Sequence, residues 1–323
     1  MNTALQLIVA PLLAILLVAS PVVAQGKKPT RSAAPEFKPG QFDGVFFNDV
    51  SSVLKGELPT RQTAVQIAAI SNAAPSNNSN SSVNLDSSGD PSDPMAWHNL
   101  ISPTSLEDLI KGSKLRLDRV ITTPAAFAGG GFQEARKEFS LQSLLFAVIE
   151  THPGDVRWKS SSGVAREAVA RAAANTKVGS RQVYDEAKKR LADLGDLMNG
   201  SQLDGAAKTE IEWSKLIDRV PLMQLLEWSK EDFISTYSAS ETQFAENNEE
   251  LQRYAELVAV LGKAAIQDGM PDANDDDYKA LAHDMITQAQ QIVLAVKTNN
   301  AELARQAAGK LGQSCQNCHD NFN

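Results

Sequence analysis

The chain has 323 residues, 42% of them hydrophobic, and sets 31 Lys and Arg against 39 Asp and Glu for a net charge of −8. That length exceeds one small domain, and the apolar share is enough to bury real cores. No basic block and no interleaving of basic with aromatic residues occurs, which argues against nucleic acid as a partner; the acidic balance fits a small-molecule cofactor or a basic protein.

The N-terminus reads MNTALQLIVAPLLAILLVASPVVAQGKKPT. Its uncharged run from Ala4 to Ala24 closes on small residues before Gln25, the pattern of a secretory leader over residues 1–24. A retained membrane anchor is the competing reading, because the run approaches spanning length and no Lys or Arg precedes it. The expectation is a periplasmic or otherwise exported protein. Residues 25–94 read as a tether: the Ser/Asn/Asp/Pro-rich stretch from Ala74 to Pro94 has too little apolar surface to order itself. Phe42 to Thr60 is expected to form a short local element.

From Ser105 the period is helical, and residues 95–205 read as a helical extension. Ser105, three residues before Asp108, resembles a helix cap. TTPAAFAGGG then reads as a loop, since its glycines lack the strand and the Lys-Ser/Thr of a phosphate loop. An apolar helix, EARKEFSLQSLLFAVIETH, stops at Pro153-Gly154. Two amphipathic segments follow, with Gly179 and Gly200 as stops.

Residues 206–323 read as a four-helix unit. Its first helix is expected to be interrupted or kinked at Pro221. Ser240 and Gln243 form a capping box before the second, whose stripe is Leu251, Tyr254, Val258, Leu261 and Ala265. The third opens on aspartates, which suit the positive helix start, and buries Tyr278, Leu281, Met285, Ala289, Ile292 and Val296. The fourth begins near Ala301 and carries Leu303, Ala307, Leu311 and Cys315, with Cys318, His319 and Phe322 continuing that face. The fold class predicted is all-α: a C-terminal antiparallel four-helix bundle preceded by a second helical block. Tyr184 and Leu191 sit in their segment as Tyr278 and Met285 do in theirs, so a degenerate, cofactor-free repeat is one reading of the first block.

The chain ends in GQSCQNCHDNFN, which holds its only two cysteines. Cys-x-x-Cys-His is the attachment pattern of c-type haem. On a helix, residues three and four apart share a face, so Cys315, Cys318 and His319 project together. The two thiols can add across the two vinyl groups of one porphyrin, and His319 can reach its iron through a neutral Nε2. A dithiol redox site needs an α/β setting, structural zinc needs four ligands, and a disulfide over this spacing would staple almost nothing.

LGQSCQNCHDNF at the end of a four-helix unit resembles the class II c-type cytochromes, the cytochrome c′ and c556 group. The likeness covers about residues 206–323. LISPTSLEDLIK and FSLQSLLFAVIETHPGDVRWK are similar to leader regions of planctomycete-type members. The resemblance implies one covalent haem c on the last helix of a left-handed bundle, and no enzymatic activity. It implies one-electron transfer with a redox partner protein or, as the alternative, a five-coordinate haem that binds NO or CO. Members often pair as homodimers through their first helices; here the extra block is a candidate for that role. Asn323 stands where members often carry a base.

The same resemblance turns the first bundle helix towards the distal face of the haem. Met223 on that helix is the candidate sixth ligand; the alternative is core filling on a stripe with Leu216, Val220 and Leu226, where Leu222 or Leu226 would block the iron. Phe322 and Phe233 are candidate pocket residues, and Tyr237, Phe244 and Tyr254 fit either pocket or core. His283 falls off its helix stripe and reads as a surface residue. His98 and His152 read as loop or helix-end residues. No Gly-x-Ser-x-Gly, His-Glu-x-x-His or phosphate-loop motif occurs.

Overall fold

The computed structural model describes residues 93–322. The leader, the local element at 42–60, all of the tether but Asp93 and Pro94, and Asn323 lie outside the described residues. The regular structure of residues 93–322 is entirely helical, with no strand among them, and they fall within one compact unit.

A short helix, α1 (Trp97–Leu100), leads into α2 (Pro103–Val120). The cap of α2 is Ser102 rather than Ser105: its hydroxyl accepts from the Ser105 N–H at 3.2 Å, and Pro103 takes the first helical position. Proline belongs there because its missing N–H would have no helical partner in any case. The stretch expected to be a loop is instead wound. Thr123 caps a three-residue turn (Pro124–Ala126), and a wide turn (Phe127–Gly131) follows in which Gly130 adopts φ +131°. Phe127, fully buried, anchors this turn.

The chain continues through α3 (Phe132–Thr151), α4 (Ser162–Asn175) and α5 (Arg181–Met198). α3 packs on both α2 and α4, α4 on α5, and α5 on α2, so these four helices close a ring. Residues Phe139 to Ile149 of α3 are buried without interruption. The reason is a third neighbour: α3 also packs on the first long helix of the second ring.

That second ring follows α6 (Trp213–Leu216) and comprises α7 (Arg219–Trp228) with its wide-turn extension Ser229–Ser235, then α8 (Glu241–Glu246) and α9 (Asn248–Ala265), α10 (Asp276–Lys297), and α11 (Ala301–Asn321). α9 packs on α10, α10 on α11, and the extension of α7 on both α9 and α11. This is the four-helix arrangement expected for the C-terminal part. Pro221 does not kink a helix; it sits in the first turn of α7, and the break falls at Ile217, which is extended (φ −148°, ψ 127°). Ser240 caps as predicted, accepting from the Gln243 N–H at 3.2 Å, but the helix then breaks at Asn247 before α9 begins. Asp275 caps α10 through the N–H groups of Asp277 and Tyr278, and Asn300 caps α11 through Leu303.

The stripe expected on α9 is buried, and so are Glu256, Leu257, Ala259, Val260 and Ala264. Two rings claim its two faces. Glu256 accepts from the N–H of Ser102 at 3.1 Å and from its hydroxyl at 3.0 Å, placing a carboxylate at the positive start of α2. Arg253 meets Asp108 at 2.9 Å. In α10, Ala282, Ile286 and Ala295 are buried where Leu281 and Val296 were expected; these two are half-buried. The two rings share an architecture, but the Tyr184–Tyr278 echo does not follow it. Tyr184 lies on the fourth helix of its ring and Tyr278 on the third of its own, so shared amphipathicity accounts for that likeness.

Gly262 sets the spacing of α9 and α10. A Cβ there would stand 2.8 Å from Ile286 Cγ1 and 2.9 Å from the Met285 methyl. Gly262→Val is therefore expected to destabilise the fold by roughly 1–3 kcal/mol through overpacking. Chemical denaturation followed by far-UV circular dichroism checks this, and an unchanged midpoint would contradict the close approach.

Candidate functional site

α11 runs unbroken from Ala301 to Asn321, so Cys315, Cys318 and His319 take the shared face that their spacing demands. Both cysteines are free thiols, half-buried, and pack against the apolar core. Burial pushes both thiols up from their ordinary range, which keeps them protonated. His319 is exposed, and among the described residues it has no side-chain hydrogen-bond or ion-pair partner. Ser314, buried between them and Leu311, donates to the Asp284 carboxylate and ties this turn to α10.

Around the thiols stand side chains from three other elements. Arg219, at the start of α7, and Asp272, in the loop before α10, both act electrostatically on Cys318. The two form an ion pair with each other, and the Arg219 guanidinium lies 5.9 Å from the Tyr278 ring centre. Phe322 meets that same ring edge-on at 5.2 Å. At the other end, Lys230 acts on Cys315 and runs past Gly312, where a Cβ would stand 3.4 Å from its Cε.

Met223 stands one turn after Arg219 and two turns before Lys230, and it packs against the hydrophobic core. It is half-buried. The core-filling alternative is met in part: Leu216 and Leu226 are buried and Met223 packs against the core, but the four residues do not lie on one continuous stripe. Leu216 is in a separate helix beyond the break at Ile217, and Val220 is 58% exposed. Leu222 and Leu226 are buried in the core.

Phe233 was expected to wall the pocket with Phe322, but its ring contacts go elsewhere. It stacks on Tyr254 at 3.4 Å and meets Trp228 and Tyr237 edge-on. Burial pushes the Tyr254 phenol up to about 12. Phe244 is buried in the core. His283 is exposed, as expected. His98 lies within the short helix α1 and His152 is the C-cap of α3, their ring centres 6.2 Å apart. Burial, with His98 and Lys159 nearby, pushes the His152 imidazole down, and its Nδ1 accepts from the Gly154 N–H at 3.0 Å.

Two surface clefts, of about 320 and 190 Å³, are lined by none of the residues of α11. Among the described residues no group of three His, Cys, Asp or Glu could hold a metal ion. Among the described residues, the two thiols and the imidazole therefore meet no fourth ligand of the kind a structural zinc site uses. What they fit is a group that two sulfurs and one nitrogen on successive turns can grip.

Residues 272–323, which comprise the Asp272 loop, α10 and α11, match the family model described as Cytochrome C'. This C-terminal segment is thus similar to the class II c-type cytochromes, as its sequence led us to expect. No curated protein matches the chain, and no solved structure does. The match supports a haem-binding segment, and Cys315, Cys318 and His319 are the residues of α11 whose chemistry suits that group. Sequence reading overlooked Arg219 and Lys230. The signal was present, since 219, 223 and 230 repeat at helical spacing, but two cations on an exposed stripe ordinarily mean only solvation.

Proposed function

We propose that this cytochrome is an exported one-electron carrier with a single covalent haem c, and that it is not an enzyme. The observation that carries the reading is the common face of Cys315, Cys318 and His319 on an unbroken terminal helix. Haem supplies a one-electron iron couple. Cys315 and Cys318 hold it through two thioethers, and His319 presents Nε2 to the iron. Met223 offers a thioether from α7; such ligation favours the reduced state and raises the potential. Arg219, beside Cys318, offers a propionate the cation that Asn323 does not provide. Export is supported by the leader pattern and by the need to complete haem attachment outside the cytoplasm. No helix among the described residues is long and apolar enough to cross a membrane.

The test is the absorption spectrum of protein matured in a haem-attaching host, oxidised, reduced and with CO. Wild type is expected to be low-spin, with a weak near-infrared band in the ferric state. Met223→Leu should lose that band, become high-spin and take up CO readily. A wild type already high-spin and CO-reactive would replace electron transfer with gas binding. A Met223→Leu spectrum matching wild type would remove Met223 from the iron.

A further inference from the structure

We propose that the end of the second ring bearing Cys318, His319 and Phe322 is a docking face for a basic redox protein, an inference that rests on the electron-carrier reading above. The charge of the chain is not spread evenly. Residues 1–212 hold 22 Lys and Arg and 22 Asp and Glu, whereas residues 213–323 hold 9 and 17. The whole net charge of −8 therefore belongs to the ring that carries the thiols.

Within that ring the charge gathers at one end. Asp268, Asp275, Asp276, Asp277 and Asp320 are all exposed around the loop between α9 and α10 and the last turn of α11. This is the thiol end, because Asp272 of the same loop acts on Cys318 and Tyr278 packs on Phe322. The local cations are already engaged: Arg219 with Asp272 and Lys279 with Asp276. Val220, beside Arg219, adds an exposed apolar side chain to the same end.

These features select one occupant. The carboxylates do not converge, since no group of three metal-ligating residues occurs among the described residues, so a bound cation does not explain them. A second copy would set one acidic face against another, at a cost in like-charge repulsion. An apolar contact within a one-signed rim, next to the exposed His319, suits brief encounters with a lysine-rich protein steered by the field.

Stopped-flow oxidation of the reduced protein tests this with two oxidants of opposite charge: a lysine-rich monohaem cytochrome c and ferricyanide. Raising ionic strength from about 10 mM to about 300 mM should slow the first roughly tenfold and speed the second. In the triple variant Asp268→Asn, Asp276→Asn, Asp277→Asn, the low-salt rate with the basic protein should fall roughly threefold or more and its salt dependence should flatten. Circular dichroism and an unchanged haem spectrum verify that the variant is folded and loaded. Salt-independent rates, or a variant as fast as wild type, overturn the docking face and leave the electron-carrier reading intact. Concentration-dependent dimerisation that the triple variant strengthens assigns the face to a second copy and also overturns it. A wild type with no covalent haem removes both.

Discussion

Replacing Cys315 and Cys318 together by Ala is expected to give a folded, helical protein from which every trace of pigment leaves in acidified acetone. Alanine is the best helix former, so α11 should persist through the substituted turns. Both cysteines are only half-buried, and truncating them opens little space in the core. What disappears is the pair of carbon–sulfur bonds. With His319 alone, the haem is held by coordination, which acid breaks by protonating the imidazole. The wild-type chain should keep its colour with the denatured polypeptide and weigh more than the bare chain by one haem. Each single variant should retain one thioether, and its pyridine haemochrome band should shift to the red because one vinyl group remains conjugated. A wild type that surrendered its pigment to the solvent would refute covalent attachment.

Arg116→Met should destabilise the fold by about 3 kcal/mol, the lower end of what removing one partner from a buried ion pair costs. The lower end applies because the Arg116 side chain is 26% exposed and part of its charge is already solvated. Glu138 is the side left stranded. It is 2% exposed, and Arg116 meets it twice, Nε to Oε1 at 2.7 Å and Nη2 to Oε2 at 3.0 Å. The same guanidinium lies 4.6 Å from the Trp228 ring centre. Trp228 in turn packs edge-on against Phe233 and Tyr254. Arg116 therefore ties the first ring to the last turn of α7, and its loss should reach the second ring. The thermal midpoint is expected to fall by roughly 6–12 °C for a unit of this size. Arg116→Met with Glu138→Gln should recover part of that loss, because the stranded charge is gone. Equal midpoints for the single variant and wild type would show that the pair contributes nothing to stability.

The two predictions separate what was legible from what was not. The haem-binding motif could be read directly, because the helix repeat alone brings positions 315, 318 and 319 to one face. The stripe on α9 could be read for the same reason, and its residues are buried as expected. Helix boundaries were read less well. Ser105 was taken for the cap that Ser102 supplies, and the glycine run was taken for a loop where the backbone winds on into α3. In both places a neighbour settles the matter: Glu256 from α9 secures the start of α2, and buried Phe127 pins the wide turn.

The partners of each face were out of reach altogether. Nothing in the sequence around Phe233 says that its ring will stack on Tyr254, or that Arg116, 112 positions before Trp228, will cover that indole. Nor could the phase of Val220 be known before the break at Ile217 was seen.

By itself, then, the sequence determined the all-helical class and the thiol and imidazole face, since both follow from periodicity within a single helix. Only the tertiary structure decided that two four-helix rings share α3 and α9 as inner walls, that Arg219 stands beside Cys318, and that the aspartates gather at the thiol end. Those facts depend on which helix lies beside which. That choice is made by the summed burial of many side chains and leaves no mark on any one short stretch of chain.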